Sequence, residues 1–344
     1  MYSVYQHWDP LKVCIVGRSY PPEFYSWINI PHVRDLFEKI AIETEEDYQR
    51  IIAKLESFGV EVLRPTISPE PQHSYMPWAS KYRAPPMNPR DFSVMIGNTF
   101  IESLHCGPVV TGYEHIIQQV RQQGNTVISN EPMGATRFDR DAVNGAMIAR
   151  IGKDLYFGTN SYDQDQTELK QEINKLFPNT RNHVLNTGGH TDGTFCPVCP
   201  GLIVSLWDGP TYADTFPGWE VVDLPGQSWE QVMPFLDLKT KNAGKWWIPG
   251  FENDNDVIEV VEQWLSHWTG YVEETVFDVN MLMIDLKNVM VFNYNKKVFD
   301  ALERYGITPH VVPFRHRYFW DGGIHCVTSD LHRAGTMQDY FPKR

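Results

Sequence analysis

Cysteine is scarce in this sequence: five residues, Cys14, Cys106, Cys196, Cys199 and Cys326, among 344. So few thiols, odd in number and sparse in a long chain, do not read as a disulfide framework, and a reducing, cytoplasmic setting is expected. Long apolar runs are missing as well. None approaches the ~18 residues of a membrane span, and the first residues lack the charged-then-apolar pattern of a secretion signal. Basic charge is in deficit, with 30 Lys and Arg against 43 Asp and Glu, a net −13. That balance argues against a nucleic-acid backbone as partner, and an acidic field favours cationic substrates.

What is present is ordinary globular material, 42% hydrophobic with 24 Gly and 24 Pro, and it is expected to form one domain over residues 1–344. An apolar strand at 12–18 precedes a helix at 44–58, whose Tyr48, Ile51, Ile52, Leu55 and Phe58 fall at helical spacing before Gly59. A strand at 60–65 follows, and then a Pro- and aromatic-rich stretch, 66–90, that reads as a long loop.

A pattern then recurs: two short strands around a tight turn, a helix, and a third strand. The turns are Gly97-Asn98, Gly152-Lys153-Asp154, Pro200-Gly201 and the segment 285–288. The helices are expected near 113–123, 162–176, 257–268 and 297–305. The closing strands are expected near 126–129, 183–185, 271–277 and 308–312. In the third repeat a long insertion precedes the helix. The last strand, 325–329, has no mate downstream, and pairing with 12–18 would complete a fifth unit by circular closure. Five ββαβ units predict an α/β propeller whose unit edges converge on a central channel.

The residues just ahead of each unit's first strand are polar or reactive: Asp91, Asn144, His190 with Asp192, Asn280 and Cys326. Cys326 follows Gly322-Gly323, where the chain must pass close to something or adopt positive φ. A thiol, an imidazole and carboxylates in one cavity suit chemistry on a guanidinium. Carboxylates hold the planar cation, the thiolate attacks its central carbon, and histidine moves the proton of the departing amine. His190 and Asp192, two apart on an extended segment, are expected to face the same way. The alternatives for these residues are ordinary: a small buried hydrophobe for Cys326, a structural histidine, a surface ion pair for Asp91. Cys196-Pro-Val-Cys199 has the spacing of half a zinc or redox site, but no second pair exists to complete one.

The order of these motifs resembles the amidinotransferases of the guanidino-group-modifying pentein superfamily. The resemblance runs from Trp8-Asp-Pro-Leu-Lys-Val-Cys-Ile-Val-Gly17 through Pro89-Arg-Asp91, Ile96-Gly-Asn98 and Gly152-Lys-Asp154 to His190-Thr-Asp192-Gly-Thr-Phe195. It ends in Asn280-Met-Leu-Met-Ile284 and His325-Cys-Val-Thr-Ser-Asp330, and is weakest over 205–278. It implies a five-bladed propeller and transfer of an amidino group from arginine through an S-amidino-cysteine. Cys326 is then the nucleophile, His190 the general acid/base, and Asp91 and Asp192 the guanidinium-binding carboxylates. No metal or organic cofactor is required. The partners are a small guanidino donor and an amine acceptor, without nucleic acid or membrane, and a homodimer is left open.

The chain departs from the family pattern in three places. Registered on Gly152, the acid that pairs with the histidine becomes Asn144. The arginine that holds a substrate carboxylate is absent from Leu206-Trp-Asp-Gly209. Serines that assist that arginine align with Glu273 and Glu274, two acids that would repel a carboxylate. At least one substrate is therefore expected to lack the usual carboxylate contact, or to be recognised through an amine. A guanidino hydrolase on the same scaffold and a catalytically silent binder are the competing readings. The 66–90 loop and the 207–256 insertion are expected to act as lids.

Overall fold

The computed structural model describes residues 1–73, 81–102, 112–128, 145–159, 167–187, 190–206, 212–224, 248, 250–251, 253–265, 278–320 and 322–344. Apolar alternation and tight turns produce the strands in pairs, and helices return the chain for a third. β1 (Leu11–Val16) is followed by a 27-residue helix, α1 (Pro31–Ser57), and by β2 (Glu61–Leu63), which lies parallel to β1. β3 (Ser93–Ile96) turns at Gly97, whose φ of +55° suits a residue without a side chain, into the antiparallel β4 (Thr99–Glu102). The helix Glu114–Gln122 buries Ile116, Ile117 and Val120 and delivers β5 (Thr126–Ile128) parallel to β4.

The same order repeats in β6 (Ile148–Ile151), β7 (Asp154–Thr159) and β8 (Arg181–Asn186), with the helix Thr167–Leu176 between the last two. It repeats again in β9 (Phe195–Cys199), β10 (Leu202–Ser205) and β11 (Glu220–Asp223). The next sheet is β12 (Leu282–Asp285), β13 (Asn288–Val291) and β14 (Thr308–Val311). Finally β15 (Thr328–Arg333) pairs antiparallel with β1 and closes the ring, with Cys14 opposite Asp330. The described residues thus form five three-stranded sheets, each an antiparallel pair plus a parallel third strand, which is the expected propeller.

Four expectations need correction. The first helix begins at Pro31, because Val33, Phe37, Ile40 and Ala41 continue the buried stripe of Tyr48, Ile51 and Leu55 one turn after another. The third unit is closed by Glu220–Asp223, which lies inside the supposed insertion; the strand expected at 271–277 lies outside the described residues. The helix expected at 257–268 is described as Asn255–Val260 with a π-helical turn over Val261–Leu265, and it packs into the same hydrophobic core as α1. The last strand starts at Thr328 rather than 325, so Cys326 sits in the turn that precedes it.

Candidate active site

The turn carrying Cys326 is held by its own backbone and by three buried side chains. Val327 N–H donates to Gly323 O at 3.1 Å, and the Thr328 hydroxyl donates to Ile324 O at 2.7 Å. Arg90, fully buried, donates from Nε to the carbonyls of His325 (2.7 Å) and Thr328 (3.0 Å). Asn280 accepts at Oδ1 from the backbone N–H groups of His325 (2.8 Å) and Cys326 (3.2 Å). Its Nδ2 donates to the Cys326 Sγ at 3.0 Å and to Asp192 O at 3.2 Å. Asn280, one of the polar residues ahead of a unit's first strand, thus spends its amide on the turn that presents the thiol. Gly323 is glycine for closeness of approach: a Cβ there would lie 2.2 Å from Asn280 Oδ1.

His190 and Asp192 lie around a helical turn, Thr191–Thr194, with His190 at its N-cap, and not on an extended segment. Asp192 is buried beside the thiol, its Oδ2 3.5 Å from Cys326 Sγ and 2.7 Å from Nδ1 of His325. Its other oxygen, Oδ1, is buried with no partner among the described residues. Asp91 lies in the short helix Pro89–Phe92 just ahead of β3, and its Oδ1 stands 4.0 Å from Nδ1 of His190. Cys326, Asp192, Asp91 and His190 therefore come together from three separate units of the ring. Asn144, Glu273 and Glu274 lie outside the described residues, as do 74–80 and 225–247 of the expected lids.

Charge explains the resting state. Burial pushes the Cys326 thiol well above its ordinary range, and the Asp192 and Asp91 carboxylates push it further. For Asp192, burial disfavours the charge, but the His325 hydrogen bond and the neighbouring His190 and Arg90 outweigh it and hold the carboxyl below its ordinary value. Burial and then Arg90 depress His325 to about 4, so this imidazole is neutral near pH 7. Since a carboxylate only accepts, Nδ1 of His325 carries the proton.

Sequence reasoning missed the layer beneath. Arg90, Arg150 and Arg333 converge on Asp330, at 3.0, 2.7 and 2.6 Å, and all four are buried. His7 accepts the backbone N–H of Arg150 at 3.0 Å, and its ring lies 5.5 Å from that of His325. Arg90, His325 and Asp330 stood inside recognised motifs, but a strand pattern does not say which polar residues meet behind a turn. Cys196 and Cys199 are buried on β9 in one hydrophobic cluster, on either side of an irregularity in its pairing with β10. Burial pushes their thiols up to about 12 and 11.

No family model matches the sequence. Against known proteins, the chain is 25% identical to the mitochondrial glycine amidinotransferase of Xenopus tropicalis over 396 aligned positions, covering 98% of this chain and 84% of that protein. It is 22% identical to inosamine-phosphate amidinotransferase 1 of Streptomyces glaucescens, covering 98% of both. The chain is thus similar over nearly its whole length to amidinotransferases. Among solved structures, an amidinotransferase of the saxitoxin biosynthetic pathway from Microseira wollei has the same fold, with a TM-score of 0.68 at 19% identity over 99% of both chains. The five sheets share the propeller fold of that structure, and the cluster around Cys326 draws on three of the five units.

Proposed function

We propose that the chain transfers an amidino group from a guanidino donor, with arginine as the first candidate, to an amine acceptor through an S-amidino adduct on Cys326. The observation that carries this reading is the arrangement at Asp192. One buried carboxylate touches the thiol through Oδ2, and its Oδ1 is buried without a partner among the described residues, a free acceptor suited to a guanidinium N–H. The donor's guanidinium lies between Asp91 and Asp192, and its charge offsets the two carboxylates that keep the thiol protonated. The thiol proton passes to His190 as a C–S bond forms at the central carbon. His190 then protonates the leaving amine as its C–N bond breaks. The acceptor amine gives a proton to His190, attacks the same carbon and expels the thiolate, which takes the proton back from His190.

Glu273 and Glu274, on sequence grounds, favour a substrate recognised through an amine. A cytoplasmic setting fits the free thiols among the described residues, none of whose helices is long and apolar enough to cross a membrane. The test is incubation with arginine alone and then with a panel of amines, following Cys326 by intact mass. An amidino adduct that accumulates with arginine and discharges to the amines supports transfer. Steady release of ammonia or citrulline without any amine would make the protein a hydrolase, and no labelling at all would make it a silent binder.

A further inference from the structure

Two histidines with no role in the chemistry above stand directly behind the donor site. His325 is the neighbour of Cys326 in the chain, but its side chain is buried and turned away to Asp192, 2.7 Å from Oδ2. Asp192 cannot rotate freely once that bond is made, because Oδ2 also meets the Cys326 thiol. Its Oδ1, buried and without a partner among the described residues, is then the oxygen left for a ligand. Behind His325 lies His7, whose Nε2 accepts the N–H of Arg150. His7 and His325 border a cavity of about 10 Å³ with Thr191 and Asp192, room for roughly one water molecule. The His325 carbonyl is gripped by Arg90 and its amide by Asn280, so the imidazole is presented from a rigid backbone.

We propose that His325 is the positioning residue of the donor site: its Nδ1–H occupies Oδ2 of Asp192 and so aims Oδ1 at the guanidinium. The inference rests on the functional reading above and adds a residue to it. An unpaired buried carboxylate would tend to take up a proton or to rotate away from this orientation. His325 prevents both, because a neutral imidazole donates one hydrogen bond without adding a charge that would repel the donor. The groups facing the pair are Arg90 and Asp91 from the short helix, His190 on the segment of Asp192, Cys326 and Asp330 from the C-terminal turn and strand, and His7 from the N-terminal segment.

The experiment compares the full-length protein with His325→Leu and His325→Asn, using arginine as donor. Leucine removes the hydrogen bond, while asparagine keeps an N–H donor near the Nδ1 position. Loss of a hydrogen bond to a charged group predicts about a 10–100-fold fall in kcat/KM for arginine in His325→Leu, expressed largely in KM. The acid limb of its pH profile should move upward by about one pH unit, because Asp192 loses the bond that holds it low. His325→Asn should stay within about tenfold of the wild type and keep the acid limb.

A His325→Leu protein with unchanged KM and an unchanged acid limb overturns the inference. If that variant does not fold, ¹⁵N NMR of the wild-type imidazole decides: a neutral ring protonated at Nδ1 at pH 5 supports the inference, and titration near the ordinary histidine value overturns it. A wild-type protein that forms no amidino adduct removes the functional reading instead, and the site assignment goes with it. That outcome is told apart by failing before any variant is compared.

Discussion

At the scale of single residues, the Cys326 thiol is the most informative group. Burial and two carboxylates keep it protonated, so alkylation of the free protein should be slow near neutral pH and rise with pH to beyond 9. Asp192→Asn removes one of the two carboxylates, which lowers the thiol pKa and should speed alkylation at pH 8. An alkylation profile already at its plateau by pH 7.5 in the wild type would contradict this account. Asp330 is the second telling residue, since it is the anion shared by three buried arginines, and Arg150, Arg90 and Arg333 hold its carboxyl well below the usual range against its burial. Asp330→Asn leaves their charge unmatched and should cost about 3–5 kcal/mol in denaturant unfolding. A loss under about 1 kcal/mol would mean that the arginines find other partners.

At the scale of elements, the glycine-rich turn and Asn280 form one device. A Cβ at Gly323 would strike Asn280 at Oδ1, Cγ and Cβ, all within 2.5 Å, so Gly323→Ala must displace either the amide or the turn. Asn280 joins His325, Cys326 and Asp192 through four hydrogen bonds at both ends of its amide. Both Gly323→Ala and Asn280→Ala should therefore lower kcat about 100-fold or more, by misplacing the nucleophile by a fraction of its reach. Thermal unfolding recorded alongside separates displacement from collapse: a variant that melts near the wild type while turning over normally would refute the positioning role of this amide.

At the scale of the whole molecule, the two ends of the chain meet, since β15 pairs with β1 and brings Asp330 and the thiol's turn into the ring. Stability should respond to acid through the buried histidines. His325 is depressed to about 4 from 6.5, by burial and then Arg90, and His7 is lowered well below its ordinary value by burial and then Arg150. Between those values the unfolded chain binds protons that the folded one refuses, so stability is full above about pH 6.5 and falls as pH drops toward 4. For His325 alone the loss is about 3 kcal/mol. Melting temperature measured across that window should decline steadily. His325→Asn should flatten the decline, and a parallel curve for that variant would remove His325 as its source.

The repeat was legible without coordinates, because a tight turn, an amphipathic helix and a short apolar strand are local patterns, and a ring of five follows from counting them. That Cys326, His190, Asp91 and Asp192 come together was also legible, since each stands just ahead of a strand in its unit. Two features were not. The third unit's closing strand at Glu220–Asp223 was hidden, because a strand is known by its partner, and β10 identifies it only through parallel pairing across an intervening segment. Asn280 and His325, polar residues at the predicted edge, turned out to hold other groups in place, and the difference is one of side-chain direction. Periodicity reports which residues face inward; which hydrogen bonds they make once inside depends on neighbours brought from other units of the ring. The chain by itself determined the reactive groups and the ring that gathers them. Only the tertiary structure decided that one oxygen of Asp192 is taken by an imidazole and the other is left open, because burial forbids a wasted donor but cannot name its acceptor.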